Sequence, residues 1–266
     1  AYGRVIPSQL ANVNQIIIKE PVGPVAAFSP WNFPINQAVR KISGAVAAGC
    51  SIILKGPEDT PASCAELLRA FVDAGIPDGV INLVYGVPAD ISNYLIPHPI
   101  IKKISFTGST AVGKELASLA AQHMKLSTME LGGHAPAIVF NDADLAAALD
   151  VLTTQKFRNA GQVCVAPTRF LVQDELYEKF VDGYVKLAKE VKLGNGLDSS
   201  TSMGPLAHDR RLAAVEELVQ DAVDLGAKIH CGGQRPKNVG YFYPPTVLTG
   251  VPKSARMMNE EPFGPV

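Results

Sequence analysis

Short apolar runs alternate with amphipathic segments along the chain from Pro21 to Leu131. The runs VAAFS, SIILK, VINLV and KKISF have the length and composition of buried β-strands. Between them, segments such as INQAVRKISGAVAAG, PASCAELLRAFVDAG and AVGKELASLAAQH repeat apolar residues at helical spacing. The predicted buried faces of the first two helices are Ile35, Ala38, Val39, Ile42 and Val46, and Cys64, Leu67, Leu68, Phe71 and Val72. Strands joined by helical crossovers predict a parallel sheet with helices on both faces.

A second series of βα elements follows the Gly132-Gly133 pair. The predicted elements are the strands PAIVF and RFLVQ and helices from Leu145, over 175–191 and over 209–225. We therefore place a domain boundary after Leu131 and predict two α/β domains, 21–131 and 132–266. Residues 194–205 and 232–245 have the composition of surface loops. The alternation of polar and apolar residues over 1–20 predicts an exposed hairpin or an intersubunit strand.

Composition narrows the class of protein only in part. With 47% hydrophobic residues, 18% charged residues and a net charge of -1, the chain lacks the basic surface that nucleic-acid binding needs. No apolar run reaches the length of about 18 residues expected of a membrane span, so we expect no membrane partner. Four irregularly spaced cysteines fit a reducing compartment such as the cytoplasm. The five histidines lack metal-ligand spacing, so we expect no metal site. A start without Met and an end at EEPFGPV suggest a central fragment.

The segment GSTAVGKE, which begins at Gly108, follows a predicted strand and opens a predicted helix. Backbone N–H groups at a helix start can hold phosphate, and the segment nearly matches a P-loop. However, Glu115 stands where a P-loop needs a magnesium-binding hydroxyl, and a carboxylate there would repel phosphate. We therefore reject a nucleotide triphosphatase and leave an ordinary glycine-rich turn open as the alternative.

Three further residues have candidate chemistry but also ordinary explanations. Cys164 in NAGQVCVAP lies in a tight connection where a nucleophile could be accessible, although a buried small hydrophobe is the commoner role. Glu130 in MELGG ends a strand beside two glycines, where most glutamates are simply solvated. Asn32 in SPWNFP lies between prolines and could be a turn residue or a fixed amide donor.

Taken in order, six motifs resemble those of the aldehyde dehydrogenase superfamily: PWNFP, LKGPEDTP, FTGSTAVG, MELGG, GQVC and EEPFGPV. Among its members the chain looks most like succinate-semialdehyde dehydrogenases. The resemblance implies a Rossmann-like NAD(P)-binding domain over 21–131 followed by an α/β catalytic domain over 132–266, both truncated, with 1–20 as an oligomerisation strand. It also implies a homodimer or homotetramer.

The resemblance assigns catalytic roles to Cys164, Asn32 and Glu130. Cys164 would attack the aldehyde, and the amide of Asn32 with the Cys164 backbone N–H would hold the thiohemiacetal oxyanion. After hydride loss, Glu130 would activate the water that hydrolyses the thioester.

The resemblance also assigns the cofactor-binding residues. Lys55 and Glu58 would contact the adenosine ribose, Ser109 and its helix the pyrophosphate, and Glu261 and Phe263 the nicotinamide ribose. The remaining predicted cofactor-binding residues are Trp31, Gly86, Gly108, Gly113 and Leu131. Since the Glu58 carboxylate would repel a 2′-phosphate, we expect NAD in preference to NADP.

Arg40 in AVRK and Arg158 in FRNAG match arginines that hold the substrate carboxylate in succinate-semialdehyde dehydrogenases. They predict an anionic aldehyde substrate, and the alternatives are a solvent-exposed helix position for Arg40 and a helix-end position for Arg158. Two residues depart from that subfamily. Val163 replaces a threonine, and Ala166 replaces a cysteine that can form a regulatory disulfide.

Three other functions remain open at this point: oxidation of uncharged aldehydes, a CoA-acylating semialdehyde dehydrogenase, and an inactive fragment or scaffold of the same fold. Glu130 favours hydrolysis over acyl transfer to CoA, and Cys164 argues against a silent scaffold.

Overall fold

A computed structural model describes residues 3–237 and 240–266. The chain divides into two compact units, Ala1–Leu131 and Gly132–Val266. This division falls at the residue pair where the sequence places a domain boundary, while the roles given to each domain remain predictions.

Residues near the start of the first unit form a two-stranded antiparallel hairpin. Strand β1 (Arg4–Pro7) pairs with β2 (Asn14–Ile17), and both strands are exposed along their whole length. A hairpin is one of the two structures that the sequence predicts for residues 1–20, and its role as an oligomerisation strand stays a prediction.

The rest of the first unit is a five-stranded parallel sheet with helices on both faces, as predicted. Its elements in chain order are β3 (Val25–Phe28), α1 (Pro34–Ala47), β4 (Ile52–Lys55), α2 (Pro61–Asp73), β5 (Ile81–Val84), α3 (Pro88–Leu95), β6 (Lys103–Thr107), α4 (Thr110–Gln122) and β7 (Leu126–Glu130). The strand order is β5-β4-β3-β6-β7. The sequence analysis does not predict the eight-residue helix α3, which is too short to show a clear periodicity.

Side chains of the central strand β3 alternate between two apolar layers, as the period of a strand requires. Val25 and Ala27 join the layer that contains Ile42 of α1 and Cys64 of α2. Ala26 and Phe28 join the layer that contains residues of α3 and α4. Each face of the sheet is therefore closed by two helices.

The buried faces of α1 and α2 are narrower than the sequence pattern predicts. Ala38 and Ile42 of α1 and Cys64 of α2 are buried. Ile35, however, is 53% exposed and Val72 is 63% exposed. Each lies at the edge of its apolar stripe, so the prediction that they belong to the buried faces is wrong.

Over residues 132–237 and 240–266, the second unit has two small sheets and three α-helices around one apolar core. Its elements are β8 (Ala137–Val139), α5 (Leu145–Phe157), a 3-10 helix (Arg158–Gly161), β9 (Phe170–Val172), α6 (Asp174–Glu190), α7 (Asp209–Asp224), β10 (Lys228–Cys231), β11 (Val247–Thr249) and a 3-10 helix (Arg256–Met258). Strands β8 and β9 pair in parallel, and β10 and β11 pair antiparallel. Helix α5 begins at the predicted Leu145, and α6 and α7 match the predicted segments to within a residue at each end. Strands β10 and β11 are not predicted from the sequence, because they are short and flank a glycine-rich loop. Residues 238 and 239 of that predicted loop lie outside the described residues.

Within residues 3–237 and 240–266, no helix is long and apolar enough to span a bilayer.

Candidate active site

The predicted site residues of the first unit gather at the carboxyl edge of its parallel sheet. The register pairs Phe28 with Lys55 and with Phe106, and Thr107 with Glu130, so the ends of these strands lie side by side. The chain runs from β3 outward to β5 and then crosses back to β6, which makes the β3/β6 pair the topological switch point of the sheet. Open α/β sheets bind ligands in the crevice at such a point.

The loop after β3 places Trp31 and Asn32 at this switch point. Both side chains are half-buried. Helix α1 starts directly afterwards with Pro34 in its first turn, which fixes where the loop ends. The predicted amide donor is therefore held in a short connection between a buried strand and a helix start.

The loop after β4 pairs the two residues predicted to contact the adenosine ribose. The ammonium of buried Lys55 forms an ion pair with the more exposed carboxylate of Glu58. Gly56 lies under the ring of Tyr85, and a Cβ at Gly56 would approach that ring to 2.5 Å. The neighbouring Gly86 has a φ of +146°, so this part of the edge requires glycine at two positions.

Helix α4 begins at the edge of the sheet with the predicted pyrophosphate-binding residues. Ser109 is its N-cap, and the Ser109 Oγ accepts a hydrogen bond from the Val112 N–H at 3.4 Å. Gly108 donates its backbone N–H to the Glu130 carbonyl at 3.1 Å. One turn into the helix, a Cβ at Gly113 would approach a Leu131 methyl to 2.4 Å. Glycine at this position lets α4 pack closely against the end of β7.

Lys41 on α1 is a site residue that the sequence analysis missed. Its Nζ donates hydrogen bonds to Thr107 Oγ1 at 2.8 Å and to Ser105 Oγ at 3.1 Å. Burial lowers the pKa of Lys41 to about 8, and the charge of Glu130 opposes that shift. The available signal was the polar pair Ser105 and Thr107, which share one face of an otherwise buried strand.

Arg40 does not gather with these groups. It lies on the exposed side of α1, where its Nε donates to Asn36 Oδ1 at 3.1 Å one turn earlier in the helix. This is the helix-face position that the sequence analysis gave as the alternative to a substrate role.

In the second unit, Cys164 follows a strained loop. Asn159, Ala160 and Gly161 have successive φ values of +51°, +53° and +70°, a left-handed run that costs free energy at the two residues that are not glycine. The amide of Gln162 donates to the Asn159 carbonyl at 3.0 Å and closes the turn. Cys164 itself is half-buried, whereas Cys50 and Cys64 are buried.

The Cys164 loop packs against the segment that contains Glu261 and Phe263. A Cβ at Gly161 would lie 2.1 Å from the Gly264 carbonyl oxygen. Phe263 also has a positive φ, +44°. The tertiary structure thus packs the loop that precedes the predicted nucleophile against the segment that contains two predicted cofactor-binding residues, about 100 positions later in the chain.

Glu261 is a half-buried carboxylate of this region. A Cβ at Gly132 would lie 2.1 Å from Glu261 Oε2, so the first glycine after MEL makes room for the carboxylate. Burial raises the pKa of Glu261, while the Gly133 N–H and the charges of Arg211 and Lys156 act in the opposite direction.

Arg158 is exposed at the end of α5, as the C-cap of that helix.

A cavity of about 230 Å³ lies between β9, α6 and β11, and its lining includes neither Cys164 nor Glu261. Within the described residues, no group of three or more His, Cys, Asp or Glu side chains is arranged to hold a metal ion.

Polar residues at the carboxyl edge of a doubly covered parallel sheet, together with a cysteine on a strained loop, are features of α/β enzymes. The model of the aldehyde dehydrogenase family matches residues 1–266. The chain belongs to the aldehyde dehydrogenase family.

Individual relatives agree with this assignment. The 4-(hydroxymethyl)benzenesulfonate dehydrogenase TsaD1 of Comamonas testosteroni is 50% identical over 265 residues, 100% of this chain and 55% of the relative. The NADP(+) succinate-semialdehyde dehydrogenase GabD of Escherichia coli strain K12 is 42% identical, again over 100% of this chain and 55% of the relative. An aldehyde dehydrogenase of Bacillus cereus, solved in complex with NAD+, superposes with a TM-score of 0.95 at 38% identity, covering 100% of this chain and 54% of that one. The chain therefore spans about half the length of these relatives.

Proposed function

We propose that this chain carries the catalytic and cofactor-binding residues of an NAD(P)-dependent oxidation of an aldehyde to a carboxylic acid. The observation that carries the proposal is the Cys164 loop. Backbone strain is concentrated immediately before a half-buried cysteine, and the loop packs on the segment of Glu261 and Phe263. Strain of this kind is characteristic of functional sites.

Three side chains have separate roles in the proposed reaction. The Cys164 thiolate forms a bond to the aldehyde carbon, and the carbonyl oxygen becomes an oxyanion that accepts hydrogen bonds from the Asn32 amide and the Cys164 N–H. Loss of hydride from this adduct leaves a thioester. Glu130 then removes a proton from water, whose oxygen displaces the thiolate and releases the acid.

The residues at the carboxyl edge of the first unit suit a nicotinamide dinucleotide. Its pyrophosphate would lie at the N-terminus of α4 beside Ser109. There the 13-residue helix presents backbone N–H groups and the positive end of its dipole to the phosphate oxygens. Lys55 and Glu58 would hold the adenosine ribose, and Glu261 and Phe263 the nicotinamide ribose. The bound cofactor supplies the hydride acceptor. NAD remains our preferred cofactor because the Glu58 carboxylate disfavours a 2′-phosphate, although its ion pair with Lys55 weakens that repulsion.

Lys41 has a supporting role in this proposal. It is the cation whose charge acts on Glu130, and its two hydroxyl partners hold its Nζ in place. The ammonium is thereby held where it attracts the Glu130 carboxylate.

We further propose that the substrate is an aldehyde with an anionic group. The names of two relatives specify a benzenesulfonate and succinate semialdehyde, which have different carbon skeletons but both carry a negative charge at neutral pH. Arg40 and Arg158 are both exposed. A sulfonate or carboxylate would suit such a guanidinium.

The reaction is tested in the full-length protein by following NADH formation. Cys164→Ser is expected to lower kcat/KM by on the order of a thousandfold, whereas the matched control Cys231→Ser, also half-buried, should retain activity. Glu130→Gln should still release a first equivalent of NADH but lose steady-state turnover, since Glu130 acts after hydride loss. Full activity of Cys164→Ser would contradict the proposal.

The substrate class is tested by comparing succinate semialdehyde, an aldehyde with a sulfonate group and an uncharged aldehyde of similar length. The anionic compounds should be preferred by about a hundredfold in kcat/KM, on the order of 3 kcal/mol, and Arg158→Ala should remove most of that preference. Equal rates with the uncharged aldehyde would show that the arginines do not select substrate.

We also propose that the protein is a homodimer or homotetramer that uses the hairpin of β1 and β2 as a contact. Its apolar side chains are unusually exposed, with Val5 at 77% and Ile16 at 67%, and such surface favours association. Light scattering of the full-length protein and of a Val5→Lys/Ile16→Lys variant tests this: the variant should have the lower mass, and equal masses would refute a contact through the hairpin.

A further inference from the structure

Lys156 on α5 has a buried ammonium group. The residue is 1% exposed, and its Nζ has no partner among the described residues. A lysine is almost never fully buried unless it is paired, and removing its charge from water is costly. Burial accordingly lowers the pKa of Lys156 to about 7, and the charge of Glu261 opposes that shift.

Glu261 is the counterpart of Lys156 in the same unit. Its Oε1 is buried and also has no hydrogen-bond partner in the part of the chain that the structure describes. The close approach of Gly132 to Oε2 limits where the carboxylate can move. Two buried polar atoms of opposite charge are therefore left without hydrogen bonds within one electrostatically coupled group, which is an unusual feature that needs an explanation.

The other charged groups around this pair are mainly cationic. Arg211 acts on Glu261, and Arg169 and Lys156 together lower the pKa of His134, after burial as the largest cause. Arg169 donates to the Met258 carbonyl, close in sequence to Glu261. Glu261 is thus a carboxylate on which two cations act, Arg211 and Lys156, and its negative charge opposes theirs.

We propose that Lys156 is a positioning residue for Glu261, whose charge keeps the carboxylate ionised and directed so that it can accept hydrogen bonds from the nicotinamide ribose. The inference rests on the proposed function, which assigns Glu261 to that ribose. Lys156 itself does not touch the cofactor. Burying the Lys156 charge lowers the stability of the fold. The support that this charge gives to cofactor affinity, through Glu261, explains why the chain has it.

The test is a double-mutant cycle in the full-length protein with NADH as the probe, measured by ligand fluorescence. Lys156→Met keeps the length and apolar stem of the side chain, and Glu261→Gln keeps the shape of the carboxylate. Each single variant should raise the Kd for NADH by about tenfold, and the double variant should show no further increase. Thr153→Val is the matched control, because Thr153 lies one turn earlier on α5 and is also buried with an unpartnered Oγ1; its Kd should not change.

Two further measurements separate positioning from a merely structural role. Lys156→Met should unfold at a urea concentration close to that of the parent, because removal of a poorly solvated ammonium group offsets the loss of its attraction to Glu261. The rate at which iodoacetamide alkylates Cys164 without cofactor should stay within about twofold of the parent. Loss of stability together with a changed alkylation rate would overturn the inference. Lys156→Gln then serves as the second variant, and normal NADH affinity in it would likewise overturn the inference.

The failures of the two proposals are distinguishable. If Glu261→Gln raises the Kd and Lys156→Met does not, or if the two effects multiply to about a hundredfold, this inference is overturned and the proposed function stands. If Glu261→Gln leaves the Kd unchanged, the ribose assignment in the proposed function fails, and the role of Lys156 fails with it.

Discussion

Replacing Gly161 with alanine perturbs the Cys164 loop in two separable ways. Gly161 has a φ of +70°, a conformation that alanine adopts with strain. The added Cβ would also lie 2.1 Å from the Gly264 carbonyl oxygen, a backbone atom. The substitution therefore tests both the strain before Cys164 and the packing of its loop on the segment of Phe263.

The magnitude can be worked out from these two contributions. The left-handed conformation costs alanine about 1–2 kcal/mol, and the overlap requires the Gly264 backbone to retreat by about 1 Å, at an overpacking cost of about 1–3 kcal/mol. We expect the free energy of unfolding to fall by roughly 2–5 kcal/mol. A displacement of about 1 Å at a reactive group can also lower the rate by about a hundredfold.

Gly226→Ala is the matched control in the same unit. Gly226 has a φ of +102°, but a Cβ there would meet nothing within 4 Å. The control therefore contains the conformational cost and the effect of alanine on the unfolded chain, without the overlap.

The assay is urea denaturation of the full-length protein and of both variants, followed by kcat/KM for NADH formation. Gly161→Ala should be less stable than Gly226→Ala by about 1–3 kcal/mol and should lose activity, whereas Gly226→Ala should keep it. Equal unfolding free energies in the two variants, with equal activity, would refute the packing of the Cys164 loop described above.

Three further predictions concern single side chains. Gly132→Ala should displace the Glu261 carboxylate, since the added Cβ would approach Oε2 to 2.1 Å, and should raise the Kd for NADH about tenfold. Gly133→Ala is the control, because a Cβ there meets nothing within 4 Å. Equal Kd values in the two variants would count against this prediction. Lys41 has a pKa of about 8 in the folded state against 10.5 in the unfolded chain, so between these pH values the unfolded state binds the extra proton and the free energy of unfolding rises with pH. Relative to Lys41→Met, the gain should be about 2 kcal/mol after allowance for partial exposure. Parallel pH profiles of urea unfolding in the two proteins would disprove this. Glu58→Gln should raise kcat/KM with NADP relative to NAD by about tenfold because the repulsive carboxylate is gone; an unchanged cofactor ratio would exclude Glu58 as a selectivity determinant.

The predicted helices and parallel strands of the first unit depend on local patterns, which is why they could be predicted. Continuous apolar runs define the strands. Pro34 and Pro61 lie in the first turn of a helix and Gly75 follows the end of one, because proline and glycine restrict where a helix can begin and continue. The exposed positions of Ile35 and Val72 show where such patterns fail, because an apolar residue at the edge of a stripe becomes buried only if a neighbouring element covers it. Strands β10 and β11 were missed for a related reason, since runs of three or four residues carry little periodicity.

The candidate site divides in the same way. Cys164, Glu130 and Asn32 were singled out from the sequence because each stands beside glycine or proline in a motif with a recognisable order. Lys41 and Lys156 were not, because a lysine within a helical segment has no local sign of burial. Their lowered pKa values exist only because distant segments exclude water from them.

By itself, the sequence determined the alternation of strands and helices, the residues with candidate chemistry and the resemblance to a family of dehydrogenases. Only the tertiary structure decided which strand ends lie side by side, that Gly161 meets Gly264, and that Glu261 faces Lys156 and Arg211. The physical reason is that periodicity and capping act over a few residues, whereas overlap, desolvation and charge coupling depend on which distant residues the folded chain brings together.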